Sequence, residues 1–182
     1  EADVYIFTRH LERKEKLKQE IGAELNVELS SPKNIASHVK DADLVVGAVL
    51  LHGAKAPYVV TEEMIKTMQQ GSVIVDVSID QGGCIETSRP TSHSNPVFMK
   101  HGVIHYCVTN MPGAYPRTST IALTNATLPY ILKIANKGFA NAVKGDEGFA
   151  KGVNTYKGFI MYKPVADGLK MVDNFKNLNR II

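Results

Sequence analysis

The feature that most constrains this chain is an alternation of short strands and helices in which several strands are apolar on both faces. "DVYIF" (Asp3 to Phe7) reads as a strand, rich in β-branched and aromatic residues. "LERKEKLKQEIG" follows, with Leu11, Leu17 and Ile21 spaced for one helical face and Gly22 as a stop. "NVEL" is a second strand. "SPKNIASHVKDA" is a helix with Ser31 as N-cap and Pro32 in its first turn. "DLVVGAVL" is a third strand. "TEEMIKTMQQG" is a helix capped by Thr61 and ended before Gly71. "SVIVDVSI" and "VIHYCV" (Val103 to Val108) are the fourth and fifth strands. Strands hydrophobic on both faces must be covered on both, so the pattern predicts a parallel sheet between helices, an α/β fold.

The character changes after Asn110. "RTSTIALTNATLPYILKIANKG" is a long helical pattern that Pro129 should kink or divide, because proline lacks the N–H that the preceding turn needs. Beyond Gly138 the sequence predicts short helical pieces and one possible strand, "GFIMYKP". The chain opens without methionine, already inside a strand, as a fragment does.

Open parallel sheets bind ligands beyond the carboxyl ends of their strands. Here the third, fourth and fifth strands end in "GAVLLHGAKAP", "SIDQGG" and "VTNMPG", where glycine, proline or polar residues directly follow apolar runs. Such turns let a ligand approach the backbone, and three converging ends point to a dinucleotide crevice. Asp80 is then either a turn residue or a carboxylate beside the reacting groups. Asn110 either bonds local backbone or faces ligand. Arg117 and Lys55 can bind anions or remain solvated.

Composition excludes several classes. The net charge is +3, and the basic residues are scattered rather than gathered in the stripe a nucleic acid requires. No apolar run approaches the ~20 residues of a membrane span, and the cytosol is the default compartment. Cys84 and Cys107 follow no metal or redox spacing and read as buried thiols. The six histidines include no helix-borne pair spaced for metal, and His93, His101 and His105 lack acidic partners at ligand spacing, so no metal site is expected. No Gly-x-Ser-x-Gly elbow is present.

Four blocks carry a family resemblance: "DADLVVGAVLLHGAKAP", "GSVIVDVSIDQGGCIETSRPTSH", "VIHYCVTNMPGAYPRTSTIALTNATLPY" and "LKIANKG". Together they resemble bacterial alanine dehydrogenase, nearly gap-free from the first strand to about Lys163. The related transhydrogenase alpha subunit has a similar fourth-strand block in another form. The resemblance implies reversible oxidative deamination of L-alanine to pyruvate and ammonia, with hydride transfer to NAD. It implies that Asp80 is the catalytic aspartate, supporting proton transfer or stabilising a cationic imine. Val49, Leu50, Val77, Ser78, Ile79, Asp80, Val108, Thr109, Asn110 and Met111 would line the cofactor crevice, with Asn110 also facing substrate. Thr8, Arg13 and Ser30 would lie at the adenosine end, and Arg89 would be a further cofactor contact. A cytoplasmic homo-oligomer, a hexamer, is implied as well.

Two departures qualify the resemblance. The family usually carries an acidic residue at the end of the first strand read here, where it holds the ribose hydroxyls. This chain has Thr8 followed by Arg9, which makes NADP possible beside NAD. The family's substrate domain, first Rossmann strand and Gly-rich loop have no counterpart in this sequence. The expected architecture is therefore a partial Rossmann-type doubly wound sheet over residues 1–115, lacking its first strand. A C-terminal helical segment, 116–182, would pack on the substrate domain. The first two strands would be left unlinked to the other three, with bare edges. Two other functions remain open: a non-catalytic nucleotide-binding or assembly module, and a transhydrogenase-like hydride-transfer domain.

Overall fold

A computed structural model of the chain describes residues 2–10, 12–51 and 56–182. The chain divides into two compact units, Glu1–Val49 with Ala56–Thr109, and Leu50–Lys55 with Asn110–Ile182.

The first unit holds β1 (Tyr5–Thr8), α1 (Glu12–Ile21), β2 (Asn26–Leu29), α2 (Pro32–Val39), β3 (Leu44–Gly47), α3 (Glu62–Ile65), β4 (Val73–Asp76), β5 (Val97–Lys100) and β6 (Val103–Tyr106). β1 and β2 form a two-stranded parallel sheet, with Tyr5 opposite Asn26 and Thr8 opposite Leu29. The other strands form a sheet in the order β3-β4-β6-β5. β3 and β6 both run parallel to β4, and only β5 is antiparallel. The two sheets are not hydrogen-bonded to each other, which matches the expectation of two strands unlinked to the rest. The parallel-dominated α/β architecture is as read from the sequence. β5 lies outside the sequence expectation: "VFMK" precedes β6 and joins it across only the His101–Gly102 turn, where both residues have positive φ.

Helix starts follow the sequence closely. The Ser31 Oγ accepts from the Asn34 amide at 3.1 Å, and the Thr61 Oγ1 accepts from the Met64 amide at 3.3 Å. Helix lengths follow it less well. α3 stops at Ile65, and the Thr67 and Met68 amides bond three residues back, to Met64 and Ile65. The Thr67 hydroxyl also donates to the Met64 carbonyl at 2.6 Å, drawing off an acceptor that an α-helix would use. Likewise the fourth strand ends at Asp76, and Val77–Gln81 is a 3₁₀ turn. The apolar face proposed for α1 is not buried: Ile21 is exposed, and Leu11 lies outside the described residues.

The core gathers Ile35 and Val39 of α2, Ile65 of α3, Ile74 of β4, Val103 of β6, and Val60, Met68, Cys84 and Ile85 from connecting segments. Ile65, Ile74, Ile85 and Val103 are completely buried, each worth roughly 1.5–3 kcal/mol relative to exposure. By contrast Leu44 and Val46, alternate residues of β3, are each 56 % exposed.

The second unit contains α4 (Pro116–Lys137), α5 (Phe139–Lys144), α6 (Glu147–Lys151), β7 (Thr155–Tyr156), β8 (Phe159–Ile160) and α7 (Lys163–Gly168). Pro129 lies inside α4 and does not end it. Asp146 caps α6 by accepting from the Phe149 amide at 2.8 Å, and its other oxygen accepts from the Lys133 ammonium at 2.7 Å. That ammonium holds the Asp146 carboxyl below its ordinary range. α4 nonetheless buries no residue, and Ile121, Leu123, Leu128, Ile131 and Leu132 along it are exposed. No described helix is long and apolar enough to cross a membrane.

Candidate functional site

Because β3, β4 and β6 are parallel neighbours, their carboxyl ends lie side by side, as the strand-end signatures require. The segment after β4 is built around a buried carboxylate. Asp76, the last residue of that strand, is completely buried. Its Oδ1 accepts from the Ser78 amide at 3.0 Å, and its Oδ2 accepts from the Cys84 and Ile85 amides at 3.0 and 3.2 Å. The Cys84 thiol donates to Oδ1 at 3.6 Å. A buried carboxyl is tolerated where its oxygens are bonded this fully. Accepting from an amide two residues on, Asp76 caps the 3₁₀ turn and so turns Val77–Ile79 out of the strand.

Asp80 lies on that turn and is exposed. Gly82 and Gly83 follow with φ of 90° and 75°. Their amides donate to the Ile79 and Ser78 carbonyls, both at 3.0 Å. A Cβ on Gly83 would stand 2.9 Å from the Asp76 Oδ2, so only glycine fits. Gly47 at the end of β3 plays a similar part: a Cβ there would meet the Cys84 sulfur at 2.6 Å. Burial pushes the Cys84 and Cys107 thiols above their ordinary range, as expected of inert buried cysteines.

Ser78 joins two strand ends. Its hydroxyl accepts from the Val49 amide at 2.7 Å and donates to the Val49 carbonyl at 2.8 Å. Val77 is exposed, Ser78 and Ile79 are buried, and Val49 is half-buried. Val108 is completely buried beyond β6. The Thr91 amide bonds the Cys107 carbonyl at 2.9 Å, and Thr109 returns a bond to the Thr91 carbonyl at 3.2 Å.

At the carboxyl ends of β1 and β2, the Ser30 amide donates to the Thr8 carbonyl at 2.8 Å, bringing those two residues together. Arg13 is exposed in the first turn of α1, and its amide bonds the His10 carbonyl at 3.1 Å. The Arg89 guanidinium lies 4.1 Å from the Phe98 ring centroid, and His105 stacks on the same ring at 4.8 Å. Leu50, Asn110 and Met111 belong to the second unit. Asn110 takes the left-handed conformation (φ 52°, ψ 52°), and its carbonyl accepts from Gly113 at 2.8 Å, opening a 3₁₀ turn over Met111–Ala114. Lys55 lies outside the described residues.

The sequence reading singles out neither Asp76 nor, beyond setting it aside as a metal ligand, His105. Each had a signal, a polar residue inside an apolar strand. Completely buried, His105 donates from Nδ1 to the Val103 carbonyl at 3.0 Å and accepts at Nε2 from the Thr87 hydroxyl at 2.7 Å. Burial lowers its pKa. Among the described residues no group of three His, Cys, Asp or Glu could hold a metal ion.

The sequence profile of the alanine dehydrogenase/PNT C-terminal domain matches residues 1–163. Alanine dehydrogenase 2 of Staphylococcus aureus (strain USA300) is 52 % identical over 171 residues, covering 93 % of this chain and 46 % of that protein. A solved L-alanine dehydrogenase superposes with a TM-score of 0.81 at 43 % identity, covering 94 % of this chain and 47 % of that one. A solved transhydrogenase from Sinorhizobium meliloti shares the fold, with a TM-score of 0.65 at 23 % identity over 79 % of this chain and 39 % of that one. The chain thus spans about half the length of the relatives it matches. A profile match over most of the sequence, together with these identities, places the chain in the alanine dehydrogenase/PNT C-terminal domain family.

Proposed function

We propose that this chain supplies the nicotinamide-nucleotide half of an L-alanine dehydrogenase, which deaminates L-alanine to pyruvate and ammonia. The observation that carries the reading is the pair of strand ends clamped by Ser78 and Val49, with Asp80 exposed on the 3₁₀ turn Val77–Gln81 that contains Ser78.

The donor chemistry fits a dinucleotide. Thr8 and Ser30 offer hydroxyls at the paired ends of β1 and β2, with Arg13 on the helix that follows. Val49, Val77, Ser78, Ile79, Val108 and Thr109 lie at or just beyond the ends of the four-stranded sheet and would line the nicotinamide side, with Arg89 a further contact; Leu50, Asn110 and Met111, in the second unit, are cofactor contacts by the family resemblance alone. A nicotinamide held there would supply a hydride acceptor for the alanine α-carbon. Asp80 either takes a proton from the reacting amine or water, or stands against the cationic imine formed from the substrate. Asn110 orients the substrate through its amide.

NAD is the cofactor of this reading. Thr8 brings no negative charge to the end of β1, so the repulsion that a carboxylate there would give a 2′-phosphate is absent and NADP is possible beside NAD. Residues 1–115 form the nucleotide-binding part, and 116–182 pack on a substrate domain of the complete enzyme, a cytoplasmic homo-hexamer. The exposed apolar side chains of α4 support that packing.

The test is reduction of NAD and of NADP by the complete protein supplied with L-alanine, alongside its intact mass. Alanine-dependent NADH with equimolar pyruvate supports the reading. Nucleotide binding without turnover favours a non-catalytic module, for which the separation of the β1–β2 pair from the four-stranded sheet speaks.

A further inference from the structure

We infer that Asp76 is the positioning residue for Asp80: it acts on the reaction through the turn that carries Asp80, without touching the reactants. The inference rests on the reading of Asp80 given above.

The two carboxylates lie at opposite ends of one short turn, and one of them is committed to backbone. Asp76 is completely buried at the end of β4, and its two oxygens accept from both sides of the loop. Oδ1 holds the Ser78 amide, two residues before Asp80, and Oδ2 holds the Cys84 and Ile85 amides, four and five residues after it. The segment 78–84 is thereby closed into a ring whose hub is one side chain. The Gly82 and Gly83 amides return to the Ile79 and Ser78 carbonyls, closing the ring's inner side. Ser78, the first residue held, is also the one that grips Val49 of the neighbouring strand end. The position of Asp80 is therefore set by the scaffold before any ligand binds.

The hub requires a carboxylate. Among the described residues, the groups bonded to it are donors: three amides and the Cys84 thiol. An asparagine offers one acceptor oxygen and turns an NH₂ toward at least one amide N–H, in a site so close that a Cβ on Gly83 would stand 2.9 Å from Oδ2. The ring then opens on one side, while the strands behind it keep their pairing.

A double-mutant cycle on kcat in the complete enzyme tests this, using D76N, D80N and D76N/D80N at a temperature where all three are folded by circular dichroism. The expected result is a loss of about tenfold or more in kcat for D76N on the wild-type background, and less than about twofold on the D80N background. A residue that only stabilises the fold would lower kcat by the same factor on both, and equal factors overturn the inference while leaving the role of Asp80 standing. Wild-type kcat in D80N overturns the reading of Asp80 itself, and with it this inference. Where D76N does not fold, hydrogen exchange on the unsubstituted enzyme decides. Slow exchange at the Ser78, Cys84 and Ile85 amides supports a preset ring, and exchange at the rate of an open loop overturns it.

Discussion

The Ser78 hydroxyl takes the Val49 amide at 2.7 Å and gives its proton to the Val49 carbonyl at 2.8 Å, so one side chain satisfies both backbone groups of a residue 29 positions earlier. Ser78→Ala leaves both Val49 groups unpaired in a half-buried place. The expected cost is about 1–3 kcal/mol of stability, read from the denaturant midpoint, with weaker nucleotide binding beside it.

Gly83 and Gly71 separate conformational strain from collision. Both have positive φ, 75° and 87°, but a Cβ on Gly71 meets nothing within 4 Å, while one on Gly83 meets the Asp76 Oδ2 at 2.9 Å. Gly71→Ala should cost about 1–2 kcal/mol, the penalty of the left-handed backbone alone. Gly83→Ala should cost clearly more and should also lower activity. Thermal unfolding of the two variants checks the order.

Two groups make the fold sensitive to acid in separate windows. Burial lowers the His105 pKa, so the folded state favours the neutral ring. Its contribution is fully present above the ordinary value of 6.5 and is lost as pH falls below it. A His105→Gln variant should show a flatter stability profile there. Glu62 is held at about 2, from an ordinary 4.5, first by its bond from His101 and then by that from Lys100. Its contribution is present above 4.5 and is lost as pH falls toward 2, and Glu62→Gln should remove that step. Denaturant midpoints measured across both windows test the two signs together.

The end of β1 should set nucleotide choice. A carboxylate in place of Thr8 repels a 2′-phosphate and can hold a ribose diol. Thr8→Asp is expected to raise the ratio of NAD to NADP affinity by about tenfold, measured by nucleotide titration. An unchanged ratio removes Thr8 from the specificity account.

Much of the fold was legible because local chemistry and tertiary context agree. Ser31 and Thr61 cap the helices their positions announced, and the apolar runs at 44–47, 73–76 and 103–106 pair as parallel strands. The sequence misled where a side chain competes with the backbone. Val77–Ile79 carries a strand pattern, but Asp76 captures the Ser78 amide and winds the segment into a turn. "TEEMIKTMQQG" has a helix pattern, but Thr67 binds the Met64 carbonyl and the chain tightens after Ile65. β5 was missed because four residues, half of them exposed, carry too little periodicity. Asp80 stood out only by its place after a strand and by family resemblance. The carboxylate that shapes its loop was hidden as one acid in an apolar run.

Whether Asp80 serves an alanine-oxidising site is decided by alanine-dependent NADH formation in the complete protein, with and without Asp80→Asn. NADH and pyruvate are expected in equal amounts from the unsubstituted protein, and a loss of about 10²–10⁴-fold in kcat for the variant, with nucleotide binding retained. Equal rates from the two proteins, or no alanine-dependent NADH from either, would contradict that role.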